Sequence, residues 1–339
     1  MIHVLIGGSG FIGNQLRTEL KGQRVVILDK LPVRKLLKNE SYNSVDIRER
    51  NELISILSKL KLDLTECVIH HLAAVHFDFQ TDFFETNVEG TKNVVEVFSK
   101  CRKWIFYSSV ATYGDSALTR DESSSQEPTN DYGKSKLLME QAIFDKIRSE
   151  SLKGLIVVVR PGVVYGEWNF GNVFNLMWLS SRFLPIGLSS NPIKSMAYVK
   201  NLVSSTLFAL EKAKDGTPLV YNYVDYDQLG TKDLLQLIGK SNGSKPLYIP
   251  LRFVLGVSYI LNLPFKLVGK DFLASPLRVK KFAQPTHFKA DKIRELGFVQ
   301  PVKPEEAVKR TIKWIGSNDV KALRADWKAS FKDEQHQQR

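Results

Sequence analysis

The first 165 residues alternate short apolar runs with longer segments in which apolar residues recur every three or four positions. The short runs predict buried β-strands, and the longer segments predict amphipathic helices. Strands that alternate with helices form a doubly wound parallel sheet in an α/β fold, with ligands at the carboxyl ends of the strands. The predicted strands cover residues 2–6, 24–28, 68–74, 104–107 and 155–159.

After residue 165 the pattern becomes less regular. Apolar periodicity predicts helices at about 199–213, 231–240 and 304–315, while 219–224 has the composition of a strand. We expect that strand to return to the main sheet, so that the two lobes are discontinuous in sequence. The predicted division is a first lobe at 1–165, to which 193–225 partly returns, a smaller mixed C-terminal lobe at 166–316, and a polar tail at 317–339.

The composition is ordinary for a globular protein of 339 residues, with 43% apolar and 25% charged residues. Cys67 and Cys101 lack the spacing of a zinc site or a redox pair, so we expect reduced thiols in a cytosolic protein. No apolar run approaches the ~20 residues that span a bilayer, and no signal peptide precedes the first predicted strand. We therefore expect a chain that is neither translocated nor membrane-spanning.

A glycine-rich turn separates the first strand from the first helix. A helix that begins at such a turn can receive a pyrophosphate at its N-terminus. Asp29 ends the second strand, where its carboxylate can accept hydrogen bonds from adenosine ribose hydroxyls and repel a 2′-phosphate. This favours NAD over NADP, and the positive charge of Lys30 weakens that preference slightly. The residues predicted to contact the dinucleotide here are Gly7, Gly10, Phe11, Ile12, Gly13 and Asp29.

Tyr132 and Lys136 lie four residues apart in a segment with helical periodicity, so their side chains share one face of the predicted helix. A neighbouring ammonium group favours the phenolate, and we expect it to lower the pKa of the phenol from about 10 toward neutrality. Tyr132 could then act as a general base. Ser109 follows the strand at 104–107, where its hydroxyl could meet the same substrate oxygen. A Tyr-x-x-x-Lys pair alone is more typical of a solvated helix face.

The glycine spacing Gly7-x-x-Gly10-x-x-Gly13, together with Ser109 and the Tyr132-x-x-x-Lys136 pair, resembles the extended short-chain dehydrogenase/reductase family. The resemblance runs from residue 1 to about residue 315. It implies a Rossmann domain that binds NAD and an active site formed by the serine, the tyrosine and the lysine, the last two also contacting the cofactor. It further implies a homodimer.

The resemblance assigns roles to further residues. Asp46 and Ile47 match the family's adenine-contacting aspartate and its apolar neighbour, although an ordinary loop aspartate is an alternative. Asn87 matches the asparagine that fixes the active-site backbone and its waters, and a plain helix N-cap is the alternative. Ala73 and Ala74 end a predicted strand, where small residues let the backbone approach the cofactor.

Three histidines, His70, His71 and His76, lie close together in sequence. No carboxylate or cysteine constellation accompanies them. We therefore predict no metal site.

Candidate substrate contacts follow the first lobe. Asn172 and Asn175 begin a predicted helix and could contact a sugar or a diphosphate, with a surface position as the alternative for each. Lys194 matches a basic residue that faces the diphosphate in nucleotide-sugar members of the family.

The residues after Ser109 distinguish the dehydratases of the family from its 4-epimerases and 4-ketoreductases. Its dehydratases carry an acidic pair there, whereas this chain has Val110-Ala111, which leaves 4-epimerases and 4-ketoreductases. Segments that include Asn172, Lys194 and Arg278 resemble bacterial 4-epimerases that convert N-acetylglucosamine to N-acetylgalactosamine on undecaprenyl diphosphate. The resemblance implies NAD-dependent epimerisation in surface polysaccharide (O-antigen) synthesis, with Arg278 among the substrate-binding residues.

Two alternatives stay open at this point. One is a soluble nucleotide-sugar 4-epimerase or 4-ketoreductase. The other is a non-catalytic, dinucleotide-binding regulator, against which the intact Ser109, Tyr132 and Lys136 argue.

The segment 246–294 contains nine basic and two acidic residues, a net charge of +7 out of +12 for the whole chain. It includes the apolar run 253–261, which is too short to span a bilayer. One interpretation is peripheral contact with the anionic inner face of the plasma membrane, with Arg252, Lys266 and Lys270 near the headgroups. The other is a buried lobe helix with a solvated basic rim. Nucleic acid is not predicted, because no aromatic platform or basic recognition helix accompanies the charge.

Overall fold

The computed structural model describes residues 1–76, 82–115, 118–183, 185–267 and 275–325. Most strands lie in one sheet, and the others form two short pairs. The strands are β1 (Ile2–Ile6), β2 (Arg24–Asp29), β3 (Glu40–Ser44), β4 (Cys67–His71), β5 (Lys103–Tyr107), β6 (Leu155–Pro161), β7 (Val163–Tyr165), β8 (Ile186–Leu188), β9 (Met196–Tyr198), β10 (Leu219–Tyr223) and β11 (Leu247–Ile249).

Helices cover both faces of the main sheet and build much of the C-terminal lobe. Short 3-10 helices occur at Leu64–Glu66 and Val110–Tyr113, and a π-helical segment at Glu85–Gly90. The α-helices are α1 (Phe11–Glu19), α2 (Arg50–Leu60), α3 (Thr91–Val97), α4 (Asp131–Arg148), α5 (Asn172–Arg182), α6 (Val199–Lys212), α7 (Thr231–Asn242), α8 (Leu251–Leu267), α9 (Pro276–Ala283), α10 (Asp291–Glu295) and α11 (Pro304–Ser317).

The main sheet is parallel throughout, with strand order β3-β2-β1-β4-β5-β6-β10. Ile6, at the end of β1, pairs with Leu28 on one side and His71 on the other. The strand order reverses between β1 and β4, and ligands of such sheets bind at this switch point. The predicted doubly wound sheet is confirmed. The strand expected at 219–224 is β10, which pairs with β6.

Successive residues of the strands face opposite sides of the sheet, so each strand contributes to two cores. Val4 and Ile6 of β1 pack with side chains of α3 and α4 in one core. Leu5 packs with Leu16 of α1 and Val203 of α6 in the other. The near-continuous apolar runs of the sequence therefore follow from burial on both faces.

A separate apolar core holds the C-terminal lobe together, and its buried members all follow residue 164. Phe174 of α5, Ile238 of α7 and Val308 of α11 belong to it. Val320 is also buried there, with 1% of its surface exposed. The prediction of a polar tail from 317 is therefore wrong for its first residues, because Val320 lies on this core. Residues 326–339 of the predicted tail lie outside the described residues.

No helix within the described ranges is both long and apolar enough to cross a membrane.

Candidate active site

The first glycine of the turn after β1 is required by close packing of the chain. Gly7 has a φ of +83°, and a Cβ atom there would lie 2.4 Å from the backbone nitrogen of Ala73. That nitrogen donates to the carbonyl of Ile6 at 2.8 Å. Gly7 and Ala73 thus bring the ends of β1 and β4 into contact at the switch point, where the sequence predicts the cofactor.

The N-terminus of α1 has the features of an anion site. Gly10 is the N-cap, and as a glycine it has no side chain to accept hydrogen bonds from the first turn. A Cβ atom on Gly13 would lie 2.5 Å from the carbonyl oxygen of Gly8, so a larger residue would push the helix away from the turn. The amides of Phe11 and Ile12 belong to the first turn, whose N–H groups and helix dipole favour a phosphate. These residues fit a dinucleotide pyrophosphate.

The Asp29 carboxylate is held at the end of β2. Its Oδ2 accepts from the Ser9 amide and its Oδ1 from the Leu31 amide, both at 2.9 Å. Burial raises the pKa of Asp29, and these hydrogen bonds act against the increase. The carboxylate therefore joins the glycine turn to β2, beside the predicted ribose position.

We expect NAD⁺ to bind more tightly than NADP⁺, because the Asp29 carboxylate would repel a 2′-phosphate in a partly buried setting. Asp29→Ala should reduce the preference by about tenfold or more. Lys30→Gln is the matched control, and it should shift the preference slightly toward NAD⁺. Equilibrium titration with both dinucleotides measures the ratio. An unchanged ratio in Asp29→Ala would contradict this assignment.

The carboxylate of Asp46 is engaged by Arg48. Its Oδ2 accepts from Arg48 Nη2 at 2.6 Å, and its Oδ1 accepts from the Arg48 amide at 3.0 Å. Although burial acts to raise the pKa of Asp46, the hydrogen bonds from Arg48 bring it below its ordinary value. The side chain of Ile47 is buried, and a Cβ atom on Gly90 would lie 2.6 Å from its Cδ1. The predicted adenine contacts of Asp46 and Ile47 stay predictions.

Helix α4 carries both Tyr132 and Lys136, as predicted, and the Ser109 hydroxyl is close enough to the Tyr132 phenol to lower its pKa. Lys136 Nζ donates to the carbonyl of Tyr107 at 2.9 Å. Ser109 Oγ accepts from the amide of Ala111 at 3.1 Å, which places Ser109 as the N-cap of a 3-10 helix. The end of β5 and the first two turns of α4 thus present the three predicted catalytic side chains.

The expected lowering of the phenol pKa is wrong for the protein alone. Burial raises the pKa of Tyr132 above its ordinary value, and the hydrogen bond with Ser109 lowers it only in part. Burial also lowers the pKa of Lys136 to about 8. The ammonium is directed toward the carbonyl of Tyr107, and desolvation of the phenol dominates over its charge. Further positive charge is needed to favour the phenolate.

Asn87 lies inside the π-helical segment and is not a helix N-cap, because that segment begins two residues earlier. Its Oδ1 accepts from the Val75 amide at 2.8 Å, and its Nδ2 donates to the Val75 carbonyl at 3.0 Å. Nδ2 also donates to Ser135 Oγ at 2.9 Å, and Ser135 donates to the Tyr132 carbonyl at 2.8 Å. Asn87 therefore connects the loop after β4 to the first turn of α4. Ala74, in that loop, is half-buried.

The neutral form of His71 is fixed by its neighbours. Thr91 Oγ1 lies 2.7 Å from the Asn87 carbonyl, to which it donates, and 2.7 Å from His71 Nε2. Because the Thr91 hydroxyl has one proton, His71 Nε2 must be the donor. Nδ1 is buried and has no hydrogen-bond partner in the described part of the chain. Burial and the charge of Lys136 lower the pKa of His71 to about 3.

This histidine predicts a pH-dependent stability. Between pH 6.5 and about 3 the unfolded chain binds a proton that folded His71 does not, so the free energy of unfolding falls as the pH falls. From pH 7.5 to 5.5 the loss due to His71 is about 1.4 kcal/mol. Urea unfolding of wild type and His71→Gln at both pH values measures this. The variant should lose less stability than wild type, and equal losses would contradict the assignment.

The histidines do not form a cluster. His70 Nε2 lies 2.9 Å from His3 Nδ1, whereas the His76 ring lies beside Tyr132 with centroids 6.5 Å apart. Within the described ranges, no group of three or more histidine, cysteine or carboxylate side chains is placed to hold a metal ion.

A buried ion pair behind the active site was not predicted. Glu140, one turn after Lys136 on α4, is fully buried, and Arg160 of β6 is 5% exposed. Arg160 Nη2 and Nε donate to the two carboxylate oxygens of Glu140 at 2.6 and 2.9 Å. The Ser108 hydroxyl also donates to Glu140, in a short hydrogen bond. The pair therefore links α4, β5 and β6 next to Ser109.

The same arginine extends the network to β10. Arg160 Nη1 donates to the Tyr113 hydroxyl at 2.7 Å, and that hydroxyl donates to Asn222 Oδ1 at 2.9 Å. The sequence contains a signal for the buried carboxylate but not for its partner. Glu140 lies four and eight residues after Lys136 and Tyr132, on the same face of the helix, where a buried carboxylate needs a cation.

The predicted substrate residues lie on different elements, and the structure gives them different surroundings. Asn172 is exposed in the first turn of α5, and Asn175 is half-buried in the same helix. Lys194 Nζ donates to the carbonyl of Gln284, and burial lowers the pKa of Lys194. The side chain of Arg278, in α9, lies outside the described residues. Their roles in substrate binding stay predictions.

Comparison with known proteins agrees with the fold. The sequence profile of the NAD dependent epimerase/dehydratase family matches residues 3–223. The N-acetyl-α-D-glucosaminyl-diphospho-ditrans,octacis-undecaprenol 4-epimerase of Escherichia coli O157:H7 is 32% identical over 325 residues, which cover 92% of this chain and 94% of that protein. The dTDP-D-glucose 4,6-dehydratase of Homo sapiens is 26% identical, with coverage of 93% and 90%.

Solved structures show the same fold. The UDP-glucose 4-epimerase of Thermus thermophilus, in complex with NAD, superimposes with a TM-score of 0.71 at 20% identity, covering 93% of this chain and 99% of that one. The UDP-N-acetylglucosamine 4-epimerase of Bacillus cereus gives a TM-score of 0.70 at 19% identity, with coverage of 94% and 98%.

A Rossmann sheet, a glycine turn suited to a pyrophosphate and a Ser-Tyr-Lys site define a dinucleotide-dependent enzyme of the short-chain dehydrogenase/reductase type. The chain belongs to the NAD-dependent epimerase/dehydratase family, and its cofactor is NAD.

Proposed function

We propose that the protein is an NAD-dependent 4-epimerase that interconverts N-acetylglucosamine and N-acetylgalactosamine linked to undecaprenyl diphosphate. The observation that carries this proposal is the joint presence of Ser109, Tyr132 and Lys136 at one site in a chain similar over 92% of its length to an undecaprenol-linked 4-epimerase. The hydride-transfer chemistry rests on the site, whereas the choice of 4-epimerisation and the lipid carrier both rest on that relative.

The roles of the residues follow from their positions. Tyr132 removes the proton of the C4 hydroxyl, and Ser109 donates a hydrogen bond to the same oxygen. Lys136, held by the carbonyl of Tyr107, supplies positive charge at the base of the site. NAD⁺ held at the glycine turn and Asp29 would supply a reversible hydride acceptor for C4 and further positive charge.

Hydride given back to the opposite face of the sugar would change the configuration at C4. The flat 4-keto sugar turns about its diphosphate linkage, and Tyr132 then gives its proton back to the C4 oxygen. No net oxidation occurs in this cycle, because C4 ends in the oxidation state in which it began. Asn87 keeps the phenol in place through Ser135 while the sugar turns.

Dehydration of the sugar is disfavoured by the residues beside Ser109. Val110 is buried and Ala111 has no acidic group, so neither can transfer the proton that loss of water requires. Dehydratases of the family that the chain resembles carry an acidic pair at this position for the loss of water. Reversible epimerisation needs no acid there.

Product analysis tests this proposal. We expect purified protein to convert undecaprenyl-diphosphate-linked N-acetylglucosamine to the galacto epimer, identified by sugar analysis and mass spectrometry after mild acid release. Parallel incubation with UDP-N-acetylglucosamine tests the carrier. Faster turnover of the UDP sugar would move the function to a soluble nucleotide-sugar 4-epimerase, and a stoichiometric requirement for reduced cofactor would indicate a 4-ketoreductase.

The proposal also covers location and assembly. An undecaprenyl-linked substrate places the enzyme on the cytoplasmic face of the membrane, in surface polysaccharide (O-antigen) synthesis.

A homodimer is part of the same proposal. Leu138 of α4 is 42% exposed, which would suit a helix-to-helix contact between two subunits. Light scattering at several protein concentrations tests the dimer.

A further inference from the structure

Helix α8 presents its apolar side chains to solvent. Ser258 and Asn262 are its buried polar residues, each 3% exposed, whereas large apolar side chains along the helix are 40–68% exposed. A helix of a globular lobe buries its apolar stripe and exposes its polar face. Helix α8 has the opposite arrangement. Its exposed apolar residues are Phe253, Val257, Tyr259, Ile260, Leu261, Leu263 and Phe265.

Apolar exposure extends to the strand pair that precedes this helix. Leu247 of β11 pairs with Ile186 of β8, and they are 48% and 54% exposed. Phe183, at the end of α5, is 67% exposed. We call these three residues, with the exposed apolar residues of α8, the α8 surface. The prediction of a buried lobe helix at 253–261 is therefore wrong.

The segments that build this surface contain no carboxylate side chain. Residues 168–210 and 234–270 have no aspartate or glutamate, although the whole chain has 36. Arg252 and Lys266 lie near the two ends of α8 and are exposed. The Arg252 guanidinium lies over the Phe253 ring, 5.0 Å from its centroid. Lys270 lies outside the described residues. The basic residues of the two segments are Arg182, Lys194, Lys200, Lys240, Lys245, Arg252, Lys266 and Lys270, of which Lys194 donates to the Gln284 carbonyl and Lys200 pairs with Glu19.

We propose that the α8 surface docks the protein on an anionic phospholipid bilayer. Apolar side chains of an interfacial helix insert about 5–10 Å into the boundary between headgroups and acyl chains. Basic side chains beside them are attracted to anionic headgroups. A second copy of the same surface fits less well, because two such surfaces facing each other bring like charges together. The inference rests on the proposed function, since a lipid-linked sugar lies at the headgroup level.

The test is sedimentation of full-length protein with vesicles of phosphatidylcholine and phosphatidylglycerol in a ratio of three to one. Wild type should sediment with them at low salt and largely remain in the supernatant with pure phosphatidylcholine. Phe253→Ser/Ile260→Ser should weaken binding by about tenfold or more, because both side chains lose insertion. Arg252→Gln/Lys266→Gln should weaken it by roughly tenfold or more, and about 0.5 M salt should have a similar effect.

Matched controls show whether vesicle binding depends on this surface or only on the overall charge and apolar exposure of the protein. Val299 is 82% exposed outside the α8 surface, and Val299→Ser should bind vesicles as wild type does. Lys21→Gln/Lys59→Gln removes the same charge from other exposed positions and should have little effect. Wild type that stays in the supernatant at low salt would overturn the inference. Undiminished vesicle binding by Phe253→Ser/Ile260→Ser, with or without a change in oligomeric state, would also overturn it.

Activity assays keep this inference distinct from the proposed function. The α8 variants should retain wild-type activity on a short-chain, water-soluble diphosphate-linked N-acetylglucosamine, because none of the changed residues lies in the active site. Protein that epimerises the undecaprenyl substrate in detergent but binds no vesicles would refute the docking surface alone. Protein that binds vesicles but epimerises neither lipid-linked nor UDP-linked sugar would refute the proposed function alone.

Discussion

Tyr132→Phe should lower turnover by at least about a hundredfold, because loss of one positioned acid/base group typically costs ~10²–10⁴ in rate. The phenol is the group that takes and returns the C4 proton, and its hydroxyl is the hydrogen-bonding neighbour of Ser109. The phenylalanine ring preserves the packing at the start of α4. We therefore expect a folded variant that still binds NAD. Initial rates of epimerisation, with NAD content measured on the purified protein, provide the comparison.

Lys134→Gln is the matched control for this variant. Lys134 lies on α4 between the two catalytic side chains in sequence but pairs with Asp131 at the surface, at 3.5 Å. Its change should leave the rate close to that of wild type, because exposed pairs contribute little. Near-normal activity in Tyr132→Phe would remove the tyrosine-based mechanism.

Glu140→Gln should destabilise the protein by about 3–5 kcal/mol, because it leaves the buried Arg160 without a counter-charge. Arg160 is 5% exposed and donates to both carboxylate oxygens of Glu140. The Ser108 hydroxyl loses its charged acceptor as well. Denaturant unfolding of the two proteins gives the difference.

A double variant distinguishes the charge effect from loss of packing. Glu140→Leu/Arg160→Met removes both charges and should recover much of the lost stability. Glu306→Gln breaks an exposed pair with Arg310 at 2.9 Å and should cause no resolvable change. A free energy of unfolding for Glu140→Gln within about 1 kcal/mol of the wild-type value would contradict this role of the Glu140–Arg160 ion pair.

Local sequence patterns predicted much of the fold and gave the candidate cofactor site, whose contacts stay predictions. The Gly7 turn follows β1 and opens α1, so a contiguous stretch of sequence contains both the packing constraint and the anion site. Asp29 ends β2 next to that turn, as the strand pattern implied. The apolar run 155–159 of β6 was visible because the strand is buried on both faces, and the structure extends it to Pro161.

Interactions between distant segments were not visible in the sequence. Strand β3 reads Glu-Ser-Tyr-Asn-Ser and has no apolar pattern, and it exists because its backbone pairs with the edge of β2. Glu140 and Arg160 lie on different elements, so only the fold brings them together. The direction of the Tyr132 pKa depends on how deeply the phenol is buried and on where Lys136 points. Sequence spacing puts Tyr132 and Lys136 on one face of the helix, but it gives neither the burial of the phenol nor the direction of the lysine.

The exposure of α8 is a further property of tertiary structure. The run at 253–261 predicted a helix equally well whether it was buried or exposed. The structure decides between the two, because Ser258 and Asn262 occupy the buried side.

The hydride shuttle is tested most directly with N-acetylglucosamine that carries deuterium at C4, linked to undecaprenyl diphosphate and incubated with the purified protein in ordinary water. We expect a galacto product that keeps its deuterium, since the hydride leaves C4 and returns to it without exchange with solvent. Mass spectrometry of the released sugar measures the retained label. A galacto product that has lost its deuterium to solvent, or no galacto product at all, would contradict the account.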